Sequence, residues 1–81
     1  MARVFFPDHL RQYTGGVAEL AVSAANFRDL IEELSRQFPA ITENLVGKVA
    51  VAIDGDIIHD PFLDPLDANS EVYFLHRIEG G

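Results

Sequence analysis

Asn26-Phe27-Arg28-Asp29-Leu30-Ile31-Glu32-Glu33-Leu34-Ser35-Arg36-Gln37-Phe38-Pro39 is the stretch that decides the architecture. Its apolar residues Phe27, Leu30, Ile31, Leu34 and Phe38 recur at i, i+3, i+4, i+7 and i+11, so on a helix they form one stripe. Arg28, Glu32, Glu33 and Arg36 fall on the other side, with Glu32 and Arg36 spaced for an i, i+4 ion pair. Asn26 is a good N-cap, Asp29 places an anion in the first turn where the helix dipole favours one, and Pro39 cannot continue the helix. A helix with a single apolar stripe must lay it on a second layer.

Outward from the helix, the chain alternates with the period of strands, so that second layer is a sheet. Upstream, Val17 to Ser23 sets Ala18, Leu20 and Val22 against Glu19, Ala21 and Ser23. Thr14-Gly15-Gly16 reads as a turn, and Arg3 to Phe6, rich in β-branched and aromatic residues and stopped by Pro7, as a first strand. These two strands predict a hairpin with a long connection. Downstream, an irregular stretch around Ile41 to Gly47 precedes Val49 to Ile53, where Val49, Val51 and Ile53 alternate with Ala50 and Ala52. Asp54-Gly55 signals a tight turn into Ile57-Ile58, and a loop with Pro61 and Pro65 leads to a last strand from Glu71 to Ile78. There Val72, Phe74 and Ile78 are expected to face the core while Tyr73, Leu75 and Arg77 alternate with them.

At 81 residues one core is all the chain can fill, because a chain this short buries only about 60–65% of its unfolded surface. No composition shift, repeat or low-complexity segment divides it, so residues 1–81 are read as a single domain. The balance of 48% hydrophobic and 23% charged residues is that of an ordinary globular protein. With no cysteine there is no disulfide, thiolate nucleophile or cysteine metal site, so any sulfur chemistry must use something other than a side-chain thiol. The apolar run at Val4-Phe5-Phe6 is too short for a signal peptide, and no stretch approaches the ~20 residues of a membrane span, so no membrane association and a cytoplasmic location are expected. Thirteen acidic against six basic residues give a net charge of −7, which repels a phosphate backbone and excludes nucleic acid as the expected partner. The same charge suits a protein partner with a basic docking patch, or serves solubility alone.

Side-chain constellations for catalysis or metal binding are weak. His9, His59 and His76 are scattered, and the pairs with Asp8 and Asp60 have no metal-ligand spacing. Asp54-Gly55-Asp56 with Asp60 lacks the further acidic ligands and the terminal glutamate of a calcium loop. Thr14-Gly15-Gly16 lacks the frame and the lysine of a phosphate-binding loop. No metal site, no bound cofactor and no free-standing enzyme are therefore expected.

The chain ends Ile78-Glu79-Gly80-Gly81, and with the element order above it resembles the ThiS/MoaD-type sulfur carriers, relatives of ubiquitin. The likeness runs through Val4-Phe5-Phe6, Leu10-Arg11-Gln12-Tyr13-Thr14-Gly15-Gly16, Phe27 to Leu34 ahead of Phe38-Pro39, Val51-Ala52-Ile53-Asp54-Gly55 and Glu71-Val72-Tyr73-Phe74-Leu75. It implies an α+β, β-grasp fold: a mixed four- to five-stranded sheet with one long helix across it and a flexible tail at about 78–81. It also implies that a ubiquitin-activating-type adenylating enzyme spends ATP on the Gly81 carboxylate, that sulfur then replaces the adenylate to give a thiocarboxylate, and that a sulfur-accepting synthase consumes it. Gly80, Glu79 and Ile78 form the tail in that scheme, and Tyr73, Leu75 and Arg77 are the candidate partner-binding residues beside it.

The length and the Thr14-Gly15-Gly16 turn look more like the molybdopterin-synthase small subunit or the cysteine-forming carriers than like the shorter thiamine type. The chain departs from the family pattern at Ala68-Asn69-Ser70, where an Asp-Gly-Asp turn is usual; Asn69 tolerates positive φ, so the turn is expected to survive with less charge. His76-Arg77 and Glu79 also depart from it, and these changes bear on the partner more than on the fold. The competing reading is a ubiquitin-like interaction or conjugation module without a sulfur role, with Gly81 joined to a lysine by an amide.

Overall fold

The computed structural model describes residues 1–45, 49–58 and 61–76. Strand β1 (Ala2–Phe5) is followed by a 3-10 helix (Asp8–Tyr13), strand β2 (Glu19–Val22), helix α1 (Phe27–Gln37) and a one-turn helix α2 (Thr42–Leu45). Strands β3 (Val49–Ile53), β4 (Asp56–Ile58) and β5 (Glu71–His76) complete the chain of elements. The five strands form one sheet in the order β2-β1-β5-β3-β4. β1 and β5 run parallel at its centre, with Val4 opposite Val72, and the remaining pairs are antiparallel. This is the α+β, mixed-sheet β-grasp architecture expected from the sequence.

Helix α1 starts where its cap predicts. The Asn26 side-chain oxygen accepts the Asp29 amide at 2.9 Å, so one of the first-turn donors is satisfied. The loop before β5 meets two more: the Phe27 amide donates to the Asp64 carbonyl at 3.0 Å and the Arg28 amide to the Phe62 carbonyl at 2.8 Å. At the other end the Phe38 amide closes on Leu34, and Pro39 follows. Phe27, Leu30 and Leu34 are buried and Ile31 and Phe38 are packed against them, so the stripe is the helix's contribution to the core.

That core is built from alternate residues of the central strands, Ala2 and Val4 on β1, Val72 and Phe74 on β5, and Val51 and Ile53 on β3. Phe74 lies at its centre, with Phe6 stacked at 5.9 Å and Phe27 edge-on at 6.3 Å. Phe38, on the helix cap, meets Phe6 edge-on at 6.2 Å and ties α1 to the end of β1.

Several details differ from expectation. The stretch around 8–13, read only as a connection, is a 3-10 helix that buries Leu10, and the supposed irregular stretch after Ile41 contains α2, which buries Leu45. One or two turns of helix are too short for their period to show. In β2 Val22 is buried and Leu20 half-buried, but Ala18 is exposed, because the strand begins only at Glu19. Asn69 does not take the left-handed region; among the described non-glycine residues only Asp54 has positive φ, at 51°. The 67–70 turn is held by side chains instead: the Asp67 carboxylate accepts the Asn69 amide at 3.0 Å, and the buried Ser70 hydroxyl accepts the Asp67 amide at 3.0 Å. Ile78, expected in the core as part of the last strand, lies outside the described residues, which carry β5 to His76.

Candidate functional site

The helix covers one face of the sheet, and the residues that alternate with the core form the other. Cross-strand register sets them in a row: Ile57 on β4 opposite Ala52 on β3, Ala52 opposite Tyr73 on β5, and Tyr73 opposite Phe5 on β1. Leu75 lies one step along β5, opposite Ala50. Alanines at 50 and 52 leave this side of β3 low, so the larger side chains on either side stand above it. The Phe5 and Tyr73 rings stack at 4.4 Å with their planes 7° apart, while Tyr73 stays 39% and Ile57 61% exposed. The result is an apolar patch across four strands.

Beyond Phe5 the patch turns polar. Arg3 on β1 pairs with Glu19 on β2 in an exposed ion pair, which contributes little stability but marks the border. Next to it a groove of about 350 Å³ is lined by Phe5, Pro7, Arg11, Glu19, Tyr73 and Leu75. Arg11 is fixed there, since its Nε donates to the Phe6 carbonyl at 3.2 Å and its guanidinium lies 2.6 Å from the Asp8 carboxylate. The groove adjoins the half of β5 from which the chain runs on into residues 77–81.

Of the sequence-predicted site residues, Tyr73 and Leu75 share this outer face. Arg77 and the tail residues Ile78, Glu79, Gly80 and Gly81 lie outside the described residues. Phe5 and Ile57, which complete the patch, were missed, although both were legible. Phe5 alternates with Val4 and Phe6 in a strand whose other face is core, and Ile57 follows the Asp54-Gly55 turn, so one of Ile57 and Ile58 had to face outward. Among the described residues no group of three or more His, Cys, Asp or Glu side chains comes together to hold a metal ion. No helix among them is long and apolar enough to cross a membrane.

A mixed five-stranded β-grasp sheet, one long helix on one face and an open apolar patch on the other define the ubiquitin-like class. The family model described as ThiS family matches residues 4–81, nearly the whole chain and the terminal diglycine with it. The chain belongs to the ThiS family, the ThiS/MoaD-type ubiquitin-like sulfur carriers. Among curated proteins no match was found.

Solved structures agree on the fold. A chain of the Amycolatopsis orientalis BexX/CysO complex is 18% identical with a TM-score of 0.87, covering 100% of both chains. Small archaeal modifier protein 1 from Methanosarcina acetivorans is 21% identical with a TM-score of 0.83, over 99% of this chain and 95% of that one. A putative molybdopterin converting factor subunit 1 from Pyrococcus furiosus is 23% identical with a TM-score of 0.75, over 95% and 97%.

Proposed function

We propose that the chain is a protein cosubstrate whose reacting group is the Gly81 carboxylate. The observation that carries this is the family match running through Gly80-Gly81 on a body whose last strand leads into that tail. A carboxylate is a poor electrophile, so the first step belongs to an adenylating enzyme of the ubiquitin-activating type. A Gly81 carboxylate oxygen attacks the α-phosphorus of ATP, pyrophosphate leaves, and an acyl-adenylate forms. A hydrosulfide equivalent then attacks the acyl carbon, the bond to AMP breaks, and loss of a proton leaves the thiocarboxylate. A sulfur-accepting synthase, of molybdopterin or cysteine type, consumes it.

The chain's own part is address and reach. Residues 77–81 fully extended span at most about 18 Å, enough to enter a partner's channel while the body remains outside. Glycine at the last two positions leaves no side chain to obstruct that channel. The row of Phe5, Tyr73, Leu75 and Ile57 offers the docking face, and Arg77 follows it in the chain.

The test is intact-protein mass spectrometry with a cognate activating enzyme, ATP and a sulfur donor. One terminal oxygen exchanged for sulfur is expected, and deletion of Gly81 should abolish it with the fold intact. Gly81→Ala should impair activation by more than its size suggests. An amide between Gly81 and a lysine of another protein would replace this reading with conjugation, and full biological activity of the Gly81 deletion would remove both.

A further inference from the structure

The first residue aside, the most exposed of the large apolar side chains among the described residues sit close together in the chain: Ile57, Phe62 and Leu63, at 61%, 59% and 57%. Ile57 belongs to the outer-face row, but Phe62 and Leu63 do not. They stand on the loop between β4 and β5, and that loop is fastened to the start of α1. The Phe62 carbonyl accepts the Arg28 amide, the Phe62 amide donates to the Asp64 carboxylate at 3.1 Å, and the Asp64 carbonyl accepts the Phe27 amide. Asn26 bridges Pro65, and the Leu66 amide donates to the Ala25 carbonyl at 2.9 Å. The backbone on either side of Leu63 is thus hydrogen-bonded to the helix start, an arrangement that lowers the entropy cost of using the two side chains in a complex.

The sheet register gives their location. α1 follows β2, whose last residue Val22 lies opposite Ala2 at the start of β1, and β1 runs parallel to β5 with Arg3 opposite Glu71. The start of α1 and its attached loop are therefore at the end of the molecule where β5 begins, away from the end where β5 leads into residues 77–81. This end is also acidic. Every charged residue among the described positions from 54 to 67 is a carboxylate: Asp54, Asp56, Asp64 and Asp67. Arg28 stands beside the loop, and its guanidinium is offset by Asp29 at 3.6 Å.

We infer that Phe62 and Leu63 form a second docking point, seated in an apolar cleft with a rim of lysine and arginine on the adenylating enzyme. The inference rests on the activation proposed above. Charge complementarity selects this occupant over a second copy of the chain. Two copies meeting here would bring carboxylates against carboxylates on bodies that each carry −7, whereas a cationic rim gains from the same groups. The position deepens the docking scheme, because a grip at this end and a patch along the sheet fix the body's orientation while the tail at the other end stays free to enter the channel.

The test is steady-state ATP–pyrophosphate exchange by the cognate adenylating enzyme, with the carrier as varied substrate. Phe62→Ser with Leu63→Ser should raise the KM for the carrier about tenfold with kcat little changed, the signature of lost docking energy. Both side chains are exposed, so the melting curve should match the unaltered protein. Asp56→Lys should raise KM at low ionic strength, and the difference should fade as salt screens it. An unchanged KM for the double variant, with exchange by the unaltered chain intact, overturns this docking point and leaves the activation standing. A KM effect confined to sulfur delivery reassigns the site to the acceptor enzyme and also overturns it. So does a dimer in sedimentation that the double variant abolishes. No exchange by the unaltered chain would remove the proposed activation and this occupant together.

Discussion

Leu34 is fully buried at the middle of the helix stripe, and truncating it leaves a cavity that packed neighbours fill only in part. Leu34→Ala should cost about 2–5 kcal/mol in denaturant melts, and a loss under half a kcal/mol would mean the stripe carries little of the core. Ser70 makes a different kind of contribution. Its hydroxyl accepts the Asp67 amide and lies 2.9 Å from one oxygen of Asp54, whose other oxygen accepts the Glu71 amide at 2.9 Å. Removing it takes the acceptor from the part-buried Asp67 amide and a donor from the Asp54 carboxylate, so Ser70→Ala should destabilise by about 1–3 kcal/mol despite its small volume, whereas an unchanged melt would show that water replaces the hydroxyl. Leu34 was legible in the sequence because helical spacing announces burial. Ser70 was not, because beside the local Asp67 its hydroxyl has a partner, Asp54, on a turn sixteen residues earlier, a distance that no local pattern records.

At the scale of elements, legibility followed length. α1 and β3 could be placed from periodicity, and the β3–β4 turn from Asp54-Gly55, which adopts positive φ at both positions, 51° and 89°. The 3-10 helix and α2 were hidden because a turn or two of helix offers too few repeats, and their roles, burying Leu10 and Leu45, emerge only when the sheet is assembled. The start of α1 was half legible. Asn26 announced the cap, but the two carbonyls from Phe62 and Asp64 that complete it lie on a loop far along the chain. Asn26→Ala should therefore cost about 1 kcal/mol rather than unravel the helix, since the loop still satisfies the first two amides. A loss of several kcal/mol in thermal or denaturant melts would mean that the loop detaches with the cap. The candidate site follows the same division: Tyr73 and Leu75 were readable from alternation along one strand, while their union with Phe5 and Ile57 depends on strand order, which periodicity does not contain.

For the whole molecule, the net charge of −7 acts at longer range than any contact described above. Charges on a body this small are spread over distances comparable to the Debye length, about 10 Å at 0.1 M salt, so at low ionic strength a partner with a basic surface meets their summed field before it touches the patch. In the docking proposed above, the field is expected to steer encounter, while Phe5, Tyr73 and Leu75, once desolvated, are expected to govern how long the complex lasts. The two effects separate experimentally. Stopped-flow association with the adenylating enzyme should slow by on the order of tenfold from low to high ionic strength, with dissociation changing much less. Tyr73→Ala with Leu75→Ala should show the reverse, faster dissociation with an association rate close to that of the unaltered chain, because neither substitution alters the charge. An association rate indifferent to salt would mean that the acidic balance serves solubility and that encounter is governed by the apolar patch alone. A double variant that dissociates no faster would place the docking face away from the open side of the sheet, leaving the tail and the Phe62–Leu63 loop as the groups by which the carrier is held.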